Sequence, residues 1–152
     1  MEVELSYIDG YKRALGLGAS KGFVRLEVNG MSSAEIQEVE LDQGVCLPRA
    51  YREFLEICGS SRGGVLGSED VYYPDLIGIK DAAYEILRDG GDEISLDGYV
   101  VFFMHQGYIF YCAKADSVDP SVFGYSSMEG GELIPQGVTL SEFIAQMIAH
   151  GL

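Results

Sequence analysis

Residues 59–63 read GSSRG, which matches the G-x-S-x-G pattern that presents a nucleophilic serine in many hydrolases. In those enzymes the serine lies on a sharp turn from a strand into a helix. Here an amphipathic helical pattern precedes Ser61, and a glycine-rich stretch follows it. The motif therefore does not predict a catalytic serine.

Residues 16–22 read GLGASKG and have a limited likeness to a phosphate-binding loop. They lack the Gly-Lys-Ser/Thr ending of a P-loop, and the third glycine comes one position too late for a dinucleotide fingerprint. We interpret this segment as a flexible loop.

The two histidines and three cysteines show no metal-binding or redox spacing. His105 lies in a predicted turn, where a structural role with its ring packed on Tyr108 is favoured over a role as base or ligand. The cysteines lack C-x-x-C spacing and have apolar neighbours, which predicts buried, reduced thiols at Cys46, Cys58 and Cys112. We expect no metal, no cofactor and no enzymatic activity.

Four acidic residues near Gly90-Gly91 are the preferred candidates for contact with a partner: Asp89, Asp92, Glu93 and Asp97. They lack the alternating oxygen ligands and the Glu at the twelfth position that an EF-hand calcium loop needs. A solvated acidic loop can instead meet a basic protein surface. Tyr72, Tyr73 and Tyr125 are candidate aromatic anchors beside these charges, and a place in the core is the alternative for each of them.

The chain of 152 residues has a net charge of −14, and most of this charge comes from its second part. Residues 1–62 hold seven Lys or Arg against ten Asp or Glu, a balance of −3; residues 63–152 hold three against fourteen, a balance of −11. Such a field repels nucleic acid and anionic lipid, and it speeds association with a cationic partner. The alternative is an acidic surface that only favours solubility.

The length and the apolar fraction of 47% predict one globular domain with a substantial core. No apolar run approaches the roughly 18 residues that a membrane helix needs. The first residues, MEVE, are acidic where a signal peptide is basic. The sequence therefore predicts a cytoplasmic protein.

Two apolar, β-prone runs form the centre of the predicted fold, at residues 99–104 and 108–112. The intervening residues, His105-Gln106-Gly107, predict a turn that joins the two runs as a hairpin. Both runs are almost continuously apolar, so we expect both faces of the ribbon to be covered. Residues 122–125 predict a further strand beside the second run, which gives an antiparallel meander.

Helical patterns flank this hairpin, and capping signals mark their ends. Ser32 and Glu35 form a capping box, Pro48 suits a first helical position, and Gly59 is the expected left-handed terminator of the second helix. The predicted helices cover residues 33–42, 48–58, 79–88 and 140–149. The predicted centre of the shared core is Phe54, Leu55, Phe102, Phe110, Phe143 and Ile144.

The first 30 residues have weaker patterns. We predict a short helix over residues 5–15 that is broken at Gly10, and a strand over residues 23–28. Residues 65–66 and 71–73 suggest short strands in a glycine-rich stretch. Together these patterns predict an α+β fold with an antiparallel meander sheet centred on residues 99–125 and packed against several helices.

Four blocks of the sequence, in the same order, resemble the SMI1/KNR4 domains of the SUKH superfamily. The blocks are ELDQGVCLPRAYREFLEICG at 40–59, VFFMHQGYIFYC at 101–112, DPSVFGY at 119–125 and LSEFI at 140–144. The resemblance covers about residues 32–148 and implies the α+β fold of that family for a single domain. Residues 1–31 form an N-terminal extension of uncertain structure.

The resemblance also implies a function. Bacterial SMI1/KNR4-like proteins of this length resemble immunity proteins, which neutralise a toxin domain, often a nuclease, by direct binding. It therefore implies a non-catalytic protein-binding domain with a basic toxin domain as partner. Fungal members resemble regulatory scaffolds, so an interaction module in cell-wall or signalling regulation is the alternative. The toxin, the binding surface and the oligomeric state stay open.

Overall fold

The computed structural model describes residues 6–21, 29–60 and 76–150. Within these ranges the chain forms five α-helices and four β-strands. The helices are α1 Ile8–Ser20, α2 Ser33–Gln43, α3 Arg49–Cys58, α4 Ile79–Asp89 and α5 Leu140–His150. The strands are β1 Tyr99–His105, β2 Ile109–Lys114, β3 Ser121–Ser126 and β4 Ile134–Thr139. The strands predicted at 23–28, 65–66 and 71–73 lie outside the described residues.

The four strands form an antiparallel sheet in the order β1-β2-β3-β4, which confirms the predicted α+β meander. In the central hairpin Val100 pairs with Ala113 and His105 pairs with Ile109. The His105 ring lies beside the Tyr108 ring, with 6.1 Å between the centroids, as the structural interpretation of His105 predicts. β3 pairs with β2 as predicted.

Helices cover both faces of the sheet. On one face the Tyr111 ring lies 4.8 Å from the Phe143 ring of α5, measured between centroids. The next residue back, Phe110, points to the opposite face because side chains alternate along a strand, and its ring contacts Tyr125. α4 packs against β1, β2 and β3 on that side. The almost continuous apolar character of the hairpin follows from this two-sided burial.

Side chains complete the outer edge of β1. Gln43 at the end of α2 is 4% exposed; its Nε2 donates to the Val101 carbonyl at 2.8 Å, and its Oε1 accepts from the Val101 N–H at 2.8 Å. Lys80 of α4 donates to the Tyr99 carbonyl at 2.8 Å. Burial lowers the pKa of this Lys80 amine. The two side chains take the place of a neighbouring strand.

Gln43→Leu should lower the free energy of unfolding by about 1–3 kcal/mol, because it leaves the buried N–H and C=O of Val101 without partners. Urea denaturation of the variant and the wild type measures this loss. Gln37→Leu is the matched control, since Gln37 is exposed on the same helix and should change stability by less than about 0.5 kcal/mol. Equal losses in the two variants would show that the Gln43 side chain does not support the strand edge.

The N-terminal segment differs from its prediction. The predicted helix over 5–15 and the predicted flexible loop over 16–22 are replaced by α1, which continues through Gly10 and Gly16 to Ser20. α1 packs against α3 and α5, and the buried Tyr11 hydroxyl donates to the Ala50 carbonyl. These tertiary contacts outweigh the low helix propensity of the glycines.

Several smaller predictions are wrong. Gly59 has φ −67° and not the left-handed conformation; a Cβ at this position would lie 2.6 Å from Met31 Sδ, so close packing is what requires a glycine. Pro48 is the N-cap of α3 and precedes its first turn. Cys46 is exposed, because it lies in the connection between α2 and α3, whereas Cys58 and Cys112 are buried as predicted.

The predicted core is confirmed with one correction. Five of the six predicted central residues are buried: Phe54, Leu55, Phe102, Phe110 and Ile144. Phe143 is only partly buried, although its ring still contacts the Phe102 ring at 5.5 Å between centroids. The capping box of Ser32 and Glu35 is present as predicted.

Candidate functional site

Asp92, in the loop between α4 and β1, contacts the opposite loop between β3 and β4. Its Oδ2 accepts hydrogen bonds from the Tyr125 hydroxyl at 2.5 Å and from the Gly131 N–H at 2.7 Å. Tyr125 is buried at the end of β3, and Gly131 belongs to the β3–β4 loop. Asp92 is therefore an internal link between two loops, and a partner would compete with these bonds for its carboxylate.

Two glycines allow the loops to come this close. A Cβ at Gly90 would lie 2.0 Å from the Tyr125 hydroxyl oxygen, and a Cβ at Gly130 would lie 3.1 Å from the Gly90 carbonyl oxygen. Gly130 also has φ +66°, which favours glycine for its backbone conformation. The α4–β1 and β3–β4 loops consequently form one continuous surface.

This surface brings together four exposed carboxylates that are distant in sequence, and we call them the acidic edge: Asp89, Glu93, Glu129 and Glu132. Asp89 and Glu93 belong to the predicted cluster, whereas sequence reasoning missed Glu129 and Glu132. The signal that could have found them is the second Gly-Gly pair, Gly130-Gly131, which has acidic neighbours as Gly90-Gly91 does. Arg88 is an exposed cation beside Asp89.

The structure places Asp97 away from the acidic edge. Asp97 precedes Tyr99, which pairs with Lys114 at the start of β1. Tyr125 lies next to Ser126, which pairs with Ile109, and Ile109 pairs with His105 at the far end of β1. At about 3.3 Å per residue, the two ends of β1 are about 20 Å apart. Asp97 therefore lies beside the start of β1, four residues along the chain from Glu93 of the acidic edge, and its contact with a partner stays a prediction.

Of the three predicted aromatic anchors, the structure describes Tyr125. Tyr72 and Tyr73 are outside the described residues, and Tyr125 is only 2% exposed, which is the core alternative. Two other apolar side chains are exposed near the acidic edge: Met128 is 80% exposed in the β3–β4 loop, and Ile134 is 45% exposed at the start of β4. These two side chains give the surface an apolar component beside its charges.

A cleft of about 380 Å³ lies beside the acidic edge, between α4 and the segment that leads to β1. Tyr84, Leu87 and Ile94 supply its apolar lining, and Asp92 and Glu93 supply its carboxylates. The Tyr84 hydroxyl accepts a hydrogen bond from the Leu96 N–H, which holds this segment against α4. Arg88 also lines the cleft, which thus combines an apolar floor with two carboxylates and one guanidinium.

The comparison with known families agrees with this fold. A sequence model of the SMI1 / KNR4 family (SUKH-1) matches residues 30–146. The chain belongs to the SMI1/KNR4 family. A search of the curated proteins found no match. The matched range contains α2, α3, α4 and all four strands, whereas α1 of this SMI1/KNR4 protein precedes it.

Hydrogen bonding fixes the protonation states of Asp92 and Tyr125 in this SMI1/KNR4 protein. The Tyr125 hydroxyl and then the Gly131 N–H stabilise the Asp92 carboxylate and lower its pKa. Burial first, then the hydrogen bond that the hydroxyl donates to Asp92, and then the Asp92 charge raise the pKa of Tyr125 to about 12. At neutral pH Tyr125 therefore donates and Asp92 accepts.

Asp92→Ala should lower the midpoint of urea unfolding at pH 7, because it leaves the buried Tyr125 hydroxyl without its acceptor. In a double-mutant cycle with Tyr125→Phe, the combined loss should be smaller than the sum of the single losses, since both variants remove the same hydrogen bond. Glu93→Ala is the control, because Glu93 is exposed and should change the midpoint little. Strictly additive losses would show that the two residues do not interact.

The same link predicts a pH dependence. The pKa of Asp92 is lower in the folded state, so its stabilisation is complete above its unfolded pKa of about 3.9 and is lost as the pH falls through the folded pKa. The difference in urea midpoint between the wild type and Asp92→Ala should therefore shrink between pH 5 and pH 2. A difference in urea midpoint that stays constant from pH 5 to pH 2 would show that the ionised Asp92 carboxylate does not stabilise the contact between the two loops.

The described residues show no metal site and no membrane-spanning helix. In residues 6–21, 29–60 and 76–150, no group of three His, Cys, Asp or Glu side chains is arranged to hold a metal ion. No helix within the same ranges is long and apolar enough to cross a bilayer. Of the GSSRG motif, only Gly59 and Ser60 are described, and they directly follow α3.

Proposed function

We propose that this SMI1/KNR4 protein is a non-catalytic binding domain that acts as an immunity protein: it neutralises a basic toxin domain by direct binding through the acidic edge. The observation that carries the proposal is the meeting of Asp89, Glu93, Glu129 and Glu132 on one continuous surface. Family membership supports a protein partner, since SUKH proteins are often immunity proteins.

The electrostatics favour a cationic partner. Residues 63–152 carry a balance of −11, with three Lys or Arg against fourteen Asp or Glu, and all four carboxylates of the acidic edge belong to this part. A nuclease needs a basic cleft to bind phosphates, so an acidic protein that covers the cleft excludes the substrate. Electrostatic steering also makes this encounter fast, which suits the neutralisation of a toxin.

The geometry adds short-range contacts to this steering. The cleft between α4 and β1 offers an apolar floor at Leu87 and Ile94, and Met128 is an exposed apolar side chain on the neighbouring loop. Interfaces obtain most of their affinity from a few buried apolar or aromatic anchors, whereas charges at the rim set rate and specificity. The acidic edge with these apolar groups has both components.

Co-expression with a toxin tests the function. The candidate toxin is the variable C-terminal domain of any large secreted protein that is encoded beside this chain's gene, and this domain is produced in a host with or without this protein. We expect growth arrest by the toxin domain alone, restored growth in the presence of this protein, and a stable complex when the two are purified together. Growth arrest that persists with both proteins folded and present would refute the immunity function and would favour the scaffold alternative.

A further inference from the structure

A second, smaller groove lies on the face of the sheet that α5 partly covers. It encloses about 180 Å³ between β2 and β4. The Tyr111 ring lies over Gly124, where a Cβ would come within 2.9 Å of the ring. Ile109 and Ile134 line the groove, and Glu129 of the acidic edge stands at its rim. The same Cβ would lie 2.9 Å from Gln136 Nε2, so the absence of a side chain at Gly124 leaves room for both the Tyr111 ring and the Gln136 amide in the groove.

The size of the groove favours a single side chain as its occupant. Pockets for metabolites and cofactors enclose roughly 300–1,000 Å³ and bury most of the ligand. This groove is smaller and open, and it lies at the end of the sheet that carries the acidic edge. A side chain from a protein docked on the acidic edge would reach it without any rearrangement of the fold.

Two polar groups in the groove are available to an occupant. In the part of the chain that the structure describes, the Tyr111 hydroxyl and the Glu129 carboxylate have no hydrogen-bond or ion-pair partner. Tyr111 is half-buried and its ring is held by Phe103 and Phe143, with centroids 5.8 Å and 4.8 Å away. The groove therefore offers a fixed aromatic ring beside a carboxylate.

Arginine matches this combination of groups. Its guanidinium is planar and always charged, it stacks on aromatic rings, and it binds a carboxylate through two parallel hydrogen bonds. Lysine can also place its charge over a ring, as Lys114 does over Tyr99, but its compact ammonium neither stacks as a plane nor binds a carboxylate through two parallel hydrogen bonds. We propose that the groove between β2 and β4 binds an arginine side chain of the basic partner, with Tyr111 under the guanidinium and Glu129 as its counter-ion.

This inference rests on the proposed function, because the partner that supplies the arginine is the one that meets the acidic edge. It adds a specific short-range contact to the general attraction of the charges. Ile134 and Met128, both exposed, flank Glu129 and would pack on the stem of the arginine or on its neighbours. The groove would then distinguish partners that present an arginine at this place from partners that are merely basic.

Peptide titration tests the groove without the toxin. The ¹⁵N-labelled protein is titrated at low ionic strength with an acetylated and amidated Gly-Arg-Gly peptide, and separately with Gly-citrulline-Gly, which has nearly the same shape but no charge. We expect saturable amide shifts centred on Tyr111, Gly124 and Glu129 with the arginine peptide only. Shifts that spread evenly over the acidic surface, or that are equal for both peptides, would overturn the proposal.

Variants localise the binding. Glu129→Gln should lower the affinity for the arginine peptide about two- to fivefold, which is the range for one exposed ionic or cation–π contact. Ile134→Lys should abolish the shifts, since it places an ammonium beside Glu129. Val118→Lys changes the net charge equally at an exposed valine between β2 and β3, and it should leave binding unchanged. Equal losses of peptide affinity in Ile134→Lys and Val118→Lys would overturn the proposal that the groove is the binding site.

The outcomes separate the groove from the proposed function. If the peptide fails to bind while this protein still protects cells from the toxin domain, the arginine groove is refuted and the immunity function stands. If the peptide binds in the groove and protection fails, the immunity function is refuted, and the groove is an arginine site for another basic protein.

Discussion

Phe102→Ala should lower the free energy of unfolding by about 3–5 kcal/mol, the cost of removing a large aromatic ring from a packed core. Phe102 is 3% exposed in β1, and its ring lies between Tyr51 of α3 and Phe143 of α5, at 6.0 Å and 5.5 Å between centroids. Its removal leaves a cavity where the sheet meets two helices. Urea denaturation of the wild type and the variant measures the loss.

Phe123→Ala is the matched control for this prediction. Phe123 has the same ring in β3, but it is only partly buried and contacts Tyr99 at 6.2 Å between centroids. The Phe123→Ala variant should lose clearly less free energy of unfolding than the Phe102→Ala variant, because solvent already reaches the Phe123 ring. A loss below about 1 kcal/mol for Phe102→Ala, the size of an average substitution, would contradict its central place in the core.

Charge reversal of the acidic edge should reduce the association rate with the toxin domain by about tenfold or more at low salt. The variant carries Glu93→Lys, Glu129→Lys and Glu132→Lys, three exposed positions on the two linked loops. Dissociation should change much less, because charges at the rim act mainly on the encounter. Stopped-flow mixing with a catalytically inactive toxin domain measures both rates.

The control reverses three exposed carboxylates on other elements: Glu38, Glu56 and Asp116. It changes the net charge by the same amount but leaves the acidic edge intact. Its association rate should therefore remain closer to that of the wild type. Equal reductions in the two variants would show that only the net charge matters and would remove the acidic edge from the proposal.

The central hairpin and most helix ends were predictable because their signals are local. A turn with glycine between two apolar runs predicts β1 and β2, and the capping box at Ser32 and Glu35 defines the start of α2. β4 was missed because Pro135 and Gly137 disfavour a strand. It forms because it is an edge strand paired only with β3, where a proline and a glycine with φ +74° are tolerated.

The candidate site was only half predictable, because two of its four carboxylates come from a distant part of the chain. Asp89 and Glu93 are adjacent to a Gly-Gly pair in sequence, so their pattern is visible. Glu129 and Glu132 flank a second Gly-Gly pair, but the contact of Gly90 with Tyr125 and Gly130, which joins the two pairs, is a tertiary contact that the sequence pattern does not indicate. Asp97 is near Glu93 in sequence, but the direction of β1 takes it to the other end of the sheet.

The central claim is that the acidic edge meets a basic partner, and hydrogen–deuterium exchange of the complex tests it most directly. The protein is measured alone and bound to an inactive variant of the toxin domain that co-expression identifies as its partner. We expect slower exchange in residues 89–95 and 127–133 on binding, with little change in α1. Protection confined to other parts of the chain, with both loops exchanging as in the free protein, would contradict the claim.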